Sequence, residues 1–498
     1  MIYSNIKLVQ NEKIPGKRTL DSYSHLVLLH GPALAKTRFP YADRIMARRK
    51  VLGLRQKDTD VVALDLPNSA ATHLVCASIQ GDESAFELLT LARKIVAAQL
   101  DYGCSRLAVA VVGFTSDEAE KYVEAVIAAA ASASAQLPSL KSEKKKDKKI
   151  RRLDVLGLKA KHGFKRTLAE AEGNALARYL SMLPPNELTP GVYRDKLVDL
   201  ASQEGWKIEQ YDIKKLKARG AGAFLAVVQG SAEKDAAIVR LCYSPAGGKS
   251  NKKISLVGKG ICYDTGGTNL KPANYMFGMH EDMQGSAVAL GCFLALARLQ
   301  VDFEVECWLA LAMNHIGPLA YKPNDVVTAA NGKTIEVVHT DAEGRMVLAD
   351  TLVFASREKP SLIMDFATLT GACVYSIGTA YSGVFSNRES FHSALIEAGK
   401  DSGERVWPFP QDEDYDRAIK SDIADVKQCS LEGGVDHILA ARFLQKFIEN
   451  DTPWVHVDLS ASNRKGGLAH IASDSTGFGV RFTLNFLLDK KMPSPGGG

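Results

Sequence analysis

No apolar run in this 498-residue chain approaches the ~20 residues that a membrane span needs, and its eight cysteines form no Cys-x-x-Cys pair. The first absence argues against a membrane-spanning protein. The cysteines are scattered and several stand in apolar runs, as reduced core thiols do, so a reducing, cytoplasmic compartment is expected. Near the N-terminus, residues 26–29 and 33–35 imitate the apolar region of a signal peptide. His30, Gly31 and Pro32 cut that region short, and a strand followed by a turn is the better reading. A net charge excess is also missing from most of the chain. The formal charge of +5 is carried by residues 141–152, which hold eight basic and two acidic residues. No aromatic residue is interleaved there, so a solvated loop is favoured over a nucleic-acid patch or a targeting signal.

What is present is an ordinary globular composition, 46% hydrophobic and 24% charged, in a chain long enough for two or more domains. Residues 1–150 alternate short apolar runs with helical patterns. Strands are expected at 61–66, 72–77 and 106–113, and helices at 84–100 and 118–131, the second behind the N-cap candidates at 115–117. This is a small α/β domain without a catalytic cluster, suited to packing, assembly or partner binding. Residues 132–152, rich in Ala, Ser and Lys, predict an exposed excursion near the boundary.

A helical pattern over 167–182 stops at Pro184 and Pro185, and a second domain, 166–498, begins about there. In it, strands are expected at 224–228, 236–241, 254–257, 304–312, 362–368 and 454–459. Helical stretches at 285–299 and 435–448 imply crossover connections, so the fold class is α/β, two domains, the larger with a central mixed, mostly parallel sheet. Ligands collect at strand C-terminal ends in such sheets. Lys259 and Asp264 fall just past one expected end, Asn314 past another, and residues 368–371 past a third.

Residues 254–352 concentrate the charge chemistry. Asp264, Asp282, Asp341 and Glu343 stand there with Lys259, Lys271 and Arg345, among glycines such as Gly266, Gly267 and Gly344. Four neighbouring carboxylates repel one another unless protons or cations neutralise them, and they are too many for an acid/base pair. A pair of divalent metals ~3.5–4 Å apart, sharing bridging carboxylates, accounts for the number. The competing reading of each motif alone is structural: a glycine turn at 264–267, and Asp341 capping a helix. The set together favours the metal site.

The segments VGKGICYDTGG (257–267) and TDAEGR (340–345), with AYKP (320–323) and ATLTGA (367–372), resemble the signature of the leucyl (cytosol) aminopeptidase family. The resemblance runs from about 175 to 488. It implies a metal-dependent aminopeptidase, preferring a leucine-like N-terminal residue of short peptides, in a homohexamer. By similarity, Lys259, Asp264, Asp282 and Glu343 would bind the tighter of two metals, zinc or manganese. Asp264, Asp341 and Glu343, with the Asp341 carbonyl, would bind the more exchangeable one. A hydroxide bridging the two metals would be the nucleophile, and Lys271 would stabilise the tetrahedral gem-diolate. Arg345, with backbone at Gly344 and Leu369, would hold a bicarbonate that shuttles the proton. Met279, Thr368 and Gly371 would line the pocket for the first side chain.

Two positions depart from the family pattern. His339 stands where asparagine is usual, and it reads as a partner of the metal ligands or as packing rather than as an extra ligand. His280 stands where lysine is common and reads as a rim residue. An aminopeptidase-fold protein with an added nucleic-acid-binding or regulatory role, carried by residues 141–152, is the alternative reading. A silent paralogue and a two-metal phosphoesterase are the others.

Overall fold

The computed structural model describes residues 6–37, 39–55, 58–143, 148–247 and 252–490. Two compact units emerge. The first comprises residues 1–175, 400–403 and 465–474, and the second the remainder.

The first unit holds β1 (Lys7–Asn11), β2 (His25–His30), β3 (Val62–Asp65), β4 (His73–Ser78), β5 (Arg106–Val112) and β6 (Arg152–Leu156). They form one sheet in the order β1-β6-β5-β2-β4-β3. All pairings are parallel except β3 with β4. β2 is the strand expected from residues 26–29, and its Leu26–Leu29 segment is fully buried, which explains its continuous apolar run. The helices Ala85–Leu100 and Ser116–Ser134 each begin in a capping box, built on Ser84 with Glu87 and on Thr115 with Glu118.

The excursion expected over 132–152 is shorter than its composition suggested. The second helix continues to Ser134, and both Ser132 and Ser134 are buried. Small side chains let that last turn pack closely, and Ser134 Oγ accepts the Ile150 N–H at 3.1 Å. Of the basic run, residues 144–147 lie outside the described residues. Lys148 pairs with Asp101, and Arg152 with the buried Asp154.

In the second unit an eight-stranded sheet runs β15-β14-β17-β13-β9-β10-β8-β7. Its strands are β7 (Lys207–Asp212), β8 (Ala237–Tyr243), β9 (Lys253–Asp264), β10 (Glu304–Asn314), β13 (Leu362–Ala367), β14 (Ser382–Ser386), β15 (Val406–Pro408) and β17 (Trp454–Asp458). A small separate sheet joins β11 (Val326–Thr328), β12 (Thr334–Glu336) and β16 (Val426–Lys427). β17, β13, β9 and β10 run parallel at the centre, and antiparallel strands flank them. The fold is thus mixed, mostly parallel α/β, as the alternation of apolar runs and helical patterns predicts. Among the described residues no helix is long and apolar enough to cross a membrane.

Two sequence expectations fail here. Residues 224–228 form not a strand but the end of the helix Gly222–Val228. Five apolar residues in a row carry no period, so a helix buried on every side reads like a buried strand. Phe224, Ala226, Val227 and Val228 all lie in the large core, which they share with the helix Glu343–Arg357. The second concerns β9, which does not end before Lys259 but continues through it to Asp264.

Candidate active site

β9 brings two charged residues to one face by an irregularity. In a regular strand, Lys259 and Asp264 would point to opposite faces because they are an odd number of residues apart. Between Ala312 and Asn314 of β10, however, the register with β9 shifts: Ala312 pairs with Ile261 and Asn314 with Asp264. One extra residue of β9 is absorbed in this bulge, which restores Asp264 to the face of Lys259.

Above that face lies the N-terminus of the helix Glu343–Arg357. A Cβ on Gly344 would lie 2.5 Å from Lys259 Cε and 2.7 Å from its Nζ, so only glycine admits the lysine beneath the helix. Glu343 then meets Lys259 from above, Oε1 to Nζ 2.9 Å, and Asp282 Oδ1 meets the same ammonium at 2.8 Å. Thr368 closes this corner. Its hydroxyl donates to Asp282 Oδ1 at 2.8 Å, and its carbonyl accepts from Lys259 Nζ at 3.1 Å.

The second corner is built by the turn after β9. Gly266 adopts φ +87°, a conformation open to glycine, and a Cβ there would stand 2.4 Å from Asn269 O. This turn lets the Gly266 N–H donate to Asp264 Oδ1 at 2.8 Å, where Asn314 Nδ2 also donates at 2.8 Å. Lys271 Nζ lies 3.0 Å from Asp264 Oδ2 and 2.6 Å from Asp341 Oδ1. Asp264, Asp341 and Glu343 each offer an oxygen within 4.8 Å of the others. Asp282 joins that trio through Lys259.

The loop carrying Asp341 is locked by its neighbours. Thr340 donates its N–H to Asn269 Oδ1 at 2.8 Å, and its carbonyl accepts from Tyr321 OH at 2.7 Å and Asn314 Nδ2 at 3.0 Å. His339 Nδ1 accepts the Asp341 N–H at 3.3 Å, which fixes that ring nitrogen as unprotonated. Burial, and then the Lys271 charge, hold the His339 pKa below its ordinary value.

Electrostatically the cluster is poised against full ionisation. Burial and the neighbouring Asp264 push Glu343 up to about 8, and burial, Asp264 and Glu343 push Asp341 up to about 7. Burial pushes Asp282 up to about 6 although Lys259 pulls it down. The same carboxylates outweigh burial at Lys259 and Lys271 and hold both ammonium groups above the usual lysine range. Buried Asp282 Oδ2 and Glu343 Oε2 have no hydrogen-bond partner. An anionic, dehydrated cluster with such free oxygens is suited to hold cations.

All of this opens into one cavity of about 1060 Å³. Met279, Thr368 and Gly371 line it beside the charged cluster, as do Arg345, Leu369 and His339; half-buried His280 is not among its lining residues. Residues 175–484 match the sequence profile of the catalytic domain of the cytosol aminopeptidase family. The chain belongs to that family. A probable cytosol aminopeptidase of Polaromonas sp. strain JS666 is 37% identical over 426 residues, 85% of this chain and 82% of that protein. Another, of Wolbachia pipientis wMel, is 40% identical over 362 residues, 70% of this chain and 72% of that one. A solved structure of a tomato leucine aminopeptidase mutant superposes with a TM-score of 0.86 at 25% identity, covering 98% of this chain and 97% of that one. This aminopeptidase is accordingly an enzyme, a metalloexopeptidase.

Two residues at the cavity wall escaped the motif reading. Asp458, the last residue of β17, accepts the Thr370 hydroxyl at 2.7 Å and the Leu369 N–H at 3.1 Å. It is an acid at a parallel-strand C-terminal end, and the same rule that picked out Asn314 would have found it. Asp436 is the other. It opens the helix Asp436–Gln445 and accepts both its oxygens' hydrogen bonds from Arg345 Nη2, at 2.9 and 2.8 Å. Nothing in the sequence links it to an arginine 91 positions earlier.

Proposed function

We propose that this metalloaminopeptidase holds two divalent cations, zinc or manganese, at the Lys259 to Glu343 cluster, and removes leucine-like residues from the amino termini of short peptides. The observation that supports this best is the convergence of Asp264, Asp341 and Glu343 within 4.8 Å, with Asp282 tied to them through Lys259. One cation would be held by Lys259, Asp264, Asp282 and Glu343, and the other by Asp264, Glu343 and Asp341. Such ions, when bound, polarise a scissile carbonyl and ionise water near neutral pH.

The chain's own residues do the rest. Lys271 sits beside Asp264 and Asp341, where its positive charge would stabilise a developing oxyanion. Lys259 and Lys271 neutralise the carboxylates in the metal-free protein and would exchange that role for the cations, Lys259 by giving up its proton. Met279, Thr368 and Gly371 offer a medium-sized, largely apolar wall for the first side chain.

Bicarbonate would have to share Arg345 and Leu369 with carboxylates already there, although the buried Arg345 Nε has no hydrogen-bond partner among the described residues. The Arg345 guanidinium already carries the Asp436 carboxylate, and the Leu369 N–H already donates to Asp458.

A cytoplasmic homohexamer is the proposed setting. Leu270 and Tyr275 are exposed at the cavity, and Phe277, nearby in the chain, is 91% exposed, which suits burial by a neighbouring subunit. The eight free cysteines suit a reducing compartment. Metal analysis combined with a panel of aminoacyl amides tests the whole reading. Two cations per chain and fastest release of leucine are expected; full activity in metal-free protein would end it.

A further inference from the structure

Arg345 is buried at 2% exposure, yet its guanidinium faces the cavity through one partner. Nη1 donates to Gln428 O at 3.1 Å, and Nη2 donates to both oxygens of Asp436. Asp436 is about a third exposed and lines the same cavity as Asp341 and Glu343. A carboxylate from the chain therefore sits on the guanidinium at the edge of the charged cluster, with one side open to a substrate. Its position is fixed by the first turn of the helix Asp436–Gln445, where an acid is also favoured by the helix dipole. A second anion on Arg345 would share one guanidinium with Asp436, and like charges at that range repel.

We propose that Asp436 is the built-in proton carrier of this site, occupying in cis the seat that a free bicarbonate would otherwise need. This rests on the aminopeptidase reading above. The carboxylate is the same chemical group as the anion it replaces, and the arginine orients it. As the attacking water oxygen bonds to the scissile carbonyl carbon, one water proton passes to an Asp436 oxygen. The C–N bond then breaks, its electron pair stays on nitrogen, and Asp436 returns the proton to that nitrogen. One water is consumed and Asp436 ends as the carboxylate it began as. Arg345 acts as a positioning residue: its Nη2 holds both oxygens of the carrier in place.

The test uses the full-length, metal-loaded enzyme and its Asp436→Gly and Asp436→Asn variants in carbon-dioxide-depleted buffer, with leucine amide as substrate. Wild-type kcat should be the same with and without millimolar bicarbonate. Asp436→Gly should lose about 10²-fold in kcat with little change in KM, and added bicarbonate or formate should restore much of it in a saturable way. Asp436→Asn, which keeps the shape but cannot carry the proton, should be as slow and resist rescue. A titration of labelled bicarbonate followed by carbon NMR reads the seat without turnover. The glycine variant should bind the anion and the wild type should not.

Stimulation of the wild type by bicarbonate, or bicarbonate binding to it, would overturn the proposal. So would full activity in Asp436→Gly without added anion, or a folded, metal-replete Asp436→Gly that no small carboxylate rescues. If the wild type releases no amino acid from any substrate, it is the aminopeptidase reading that has failed. The NMR titration then still decides whether Asp436 fills the anion seat.

Discussion

Lys259 Nζ lies 2.9 Å from Glu343 Oε1, a contact between the middle of a strand and the first turn of a helix that begins 84 residues later. Both groups are buried, and Lys259 is shared between Glu343 and Asp282, whose Oδ1 meets the same ammonium at 2.8 Å. Removing the lysine leaves both carboxylates without that neutralising charge.

Replacing Glu343 by Gln keeps its size and removes its charge. Metal content should fall below two per chain, and kcat should drop by at least ~10²-fold, since the transition-state charge loses its clamp. Atomic absorption on dialysed protein, alongside leucine amide hydrolysis, checks both. Undiminished turnover in this variant would refute the assigned role.

Gly344→Ala probes the close approach directly. The added methyl would sit 2.5 Å from Lys259 Cε, so the lysine must shift from its seat. The shift loosens the buried pairs of Lys259 with Glu343 and Asp282, so activity should fall by ~10-fold or more and any fall in Tm should come with that loss. A large fall in Tm with activity retained would contradict this arrangement.

Chelation should abolish activity and leave a protein whose metal affinity climbs with pH. The carboxyl groups of Asp282, Asp341 and Glu343 are pushed up to about 6, about 7 and about 8, so in metal-free protein they bind protons near neutrality. Cations must displace those protons, and affinity should therefore rise from pH 6 to pH 8. Calorimetry in buffers of different ionisation enthalpy should record proton release on binding; its absence would mean that the cluster is already ionised.

Asp350 sits away from the chemistry and supports the fold. Its carboxylate, carried on the helix Glu343–Arg357, accepts the Phe224 N–H at 2.8 Å and the Ala330 N–H at 2.7 Å. It thus supplies the cap that the helix Gly222–Val228 lacks in its own sequence. Asp350→Ala strands those buried donors and should cost about 2–4 kcal/mol in denaturant unfolding. Burial pushes this carboxyl up to about 7, although the backbone donors pull it back. A raised folded-state pKa means that the native state holds the extra proton. The stabilisation is full below about pH 4 and is lost as pH rises through about 7. The Tm advantage of wild type over Asp350→Asn should shrink across that window, and a constant difference would count against it.

The site's ingredients were legible in the sequence because they are local. Asp341 and Glu343 stand two residues apart at a helix start, and Asp264 is followed, after Thr265, by two glycines with positive φ. Spacing of this kind survives in one dimension. The apolar run 224–228 did not reveal its state, because burial on all sides erases the periodicity that separates helix from strand.

Composition and the alternation of apolar runs with helical patterns determined by themselves an α/β fold, and the motifs, through their resemblance to a family, pointed to an aminopeptidase and to which carboxylates stand in its site. Only the tertiary structure decided how they meet. The bulge that turns Asp264 onto the Lys259 face depends on the register with β10, and the helix start that carries Asp436 onto Arg345 depends on packing between distant segments. Register and packing are relations between residues far apart in sequence, set by hydrogen bonds and excluded volume that a linear pattern does not encode.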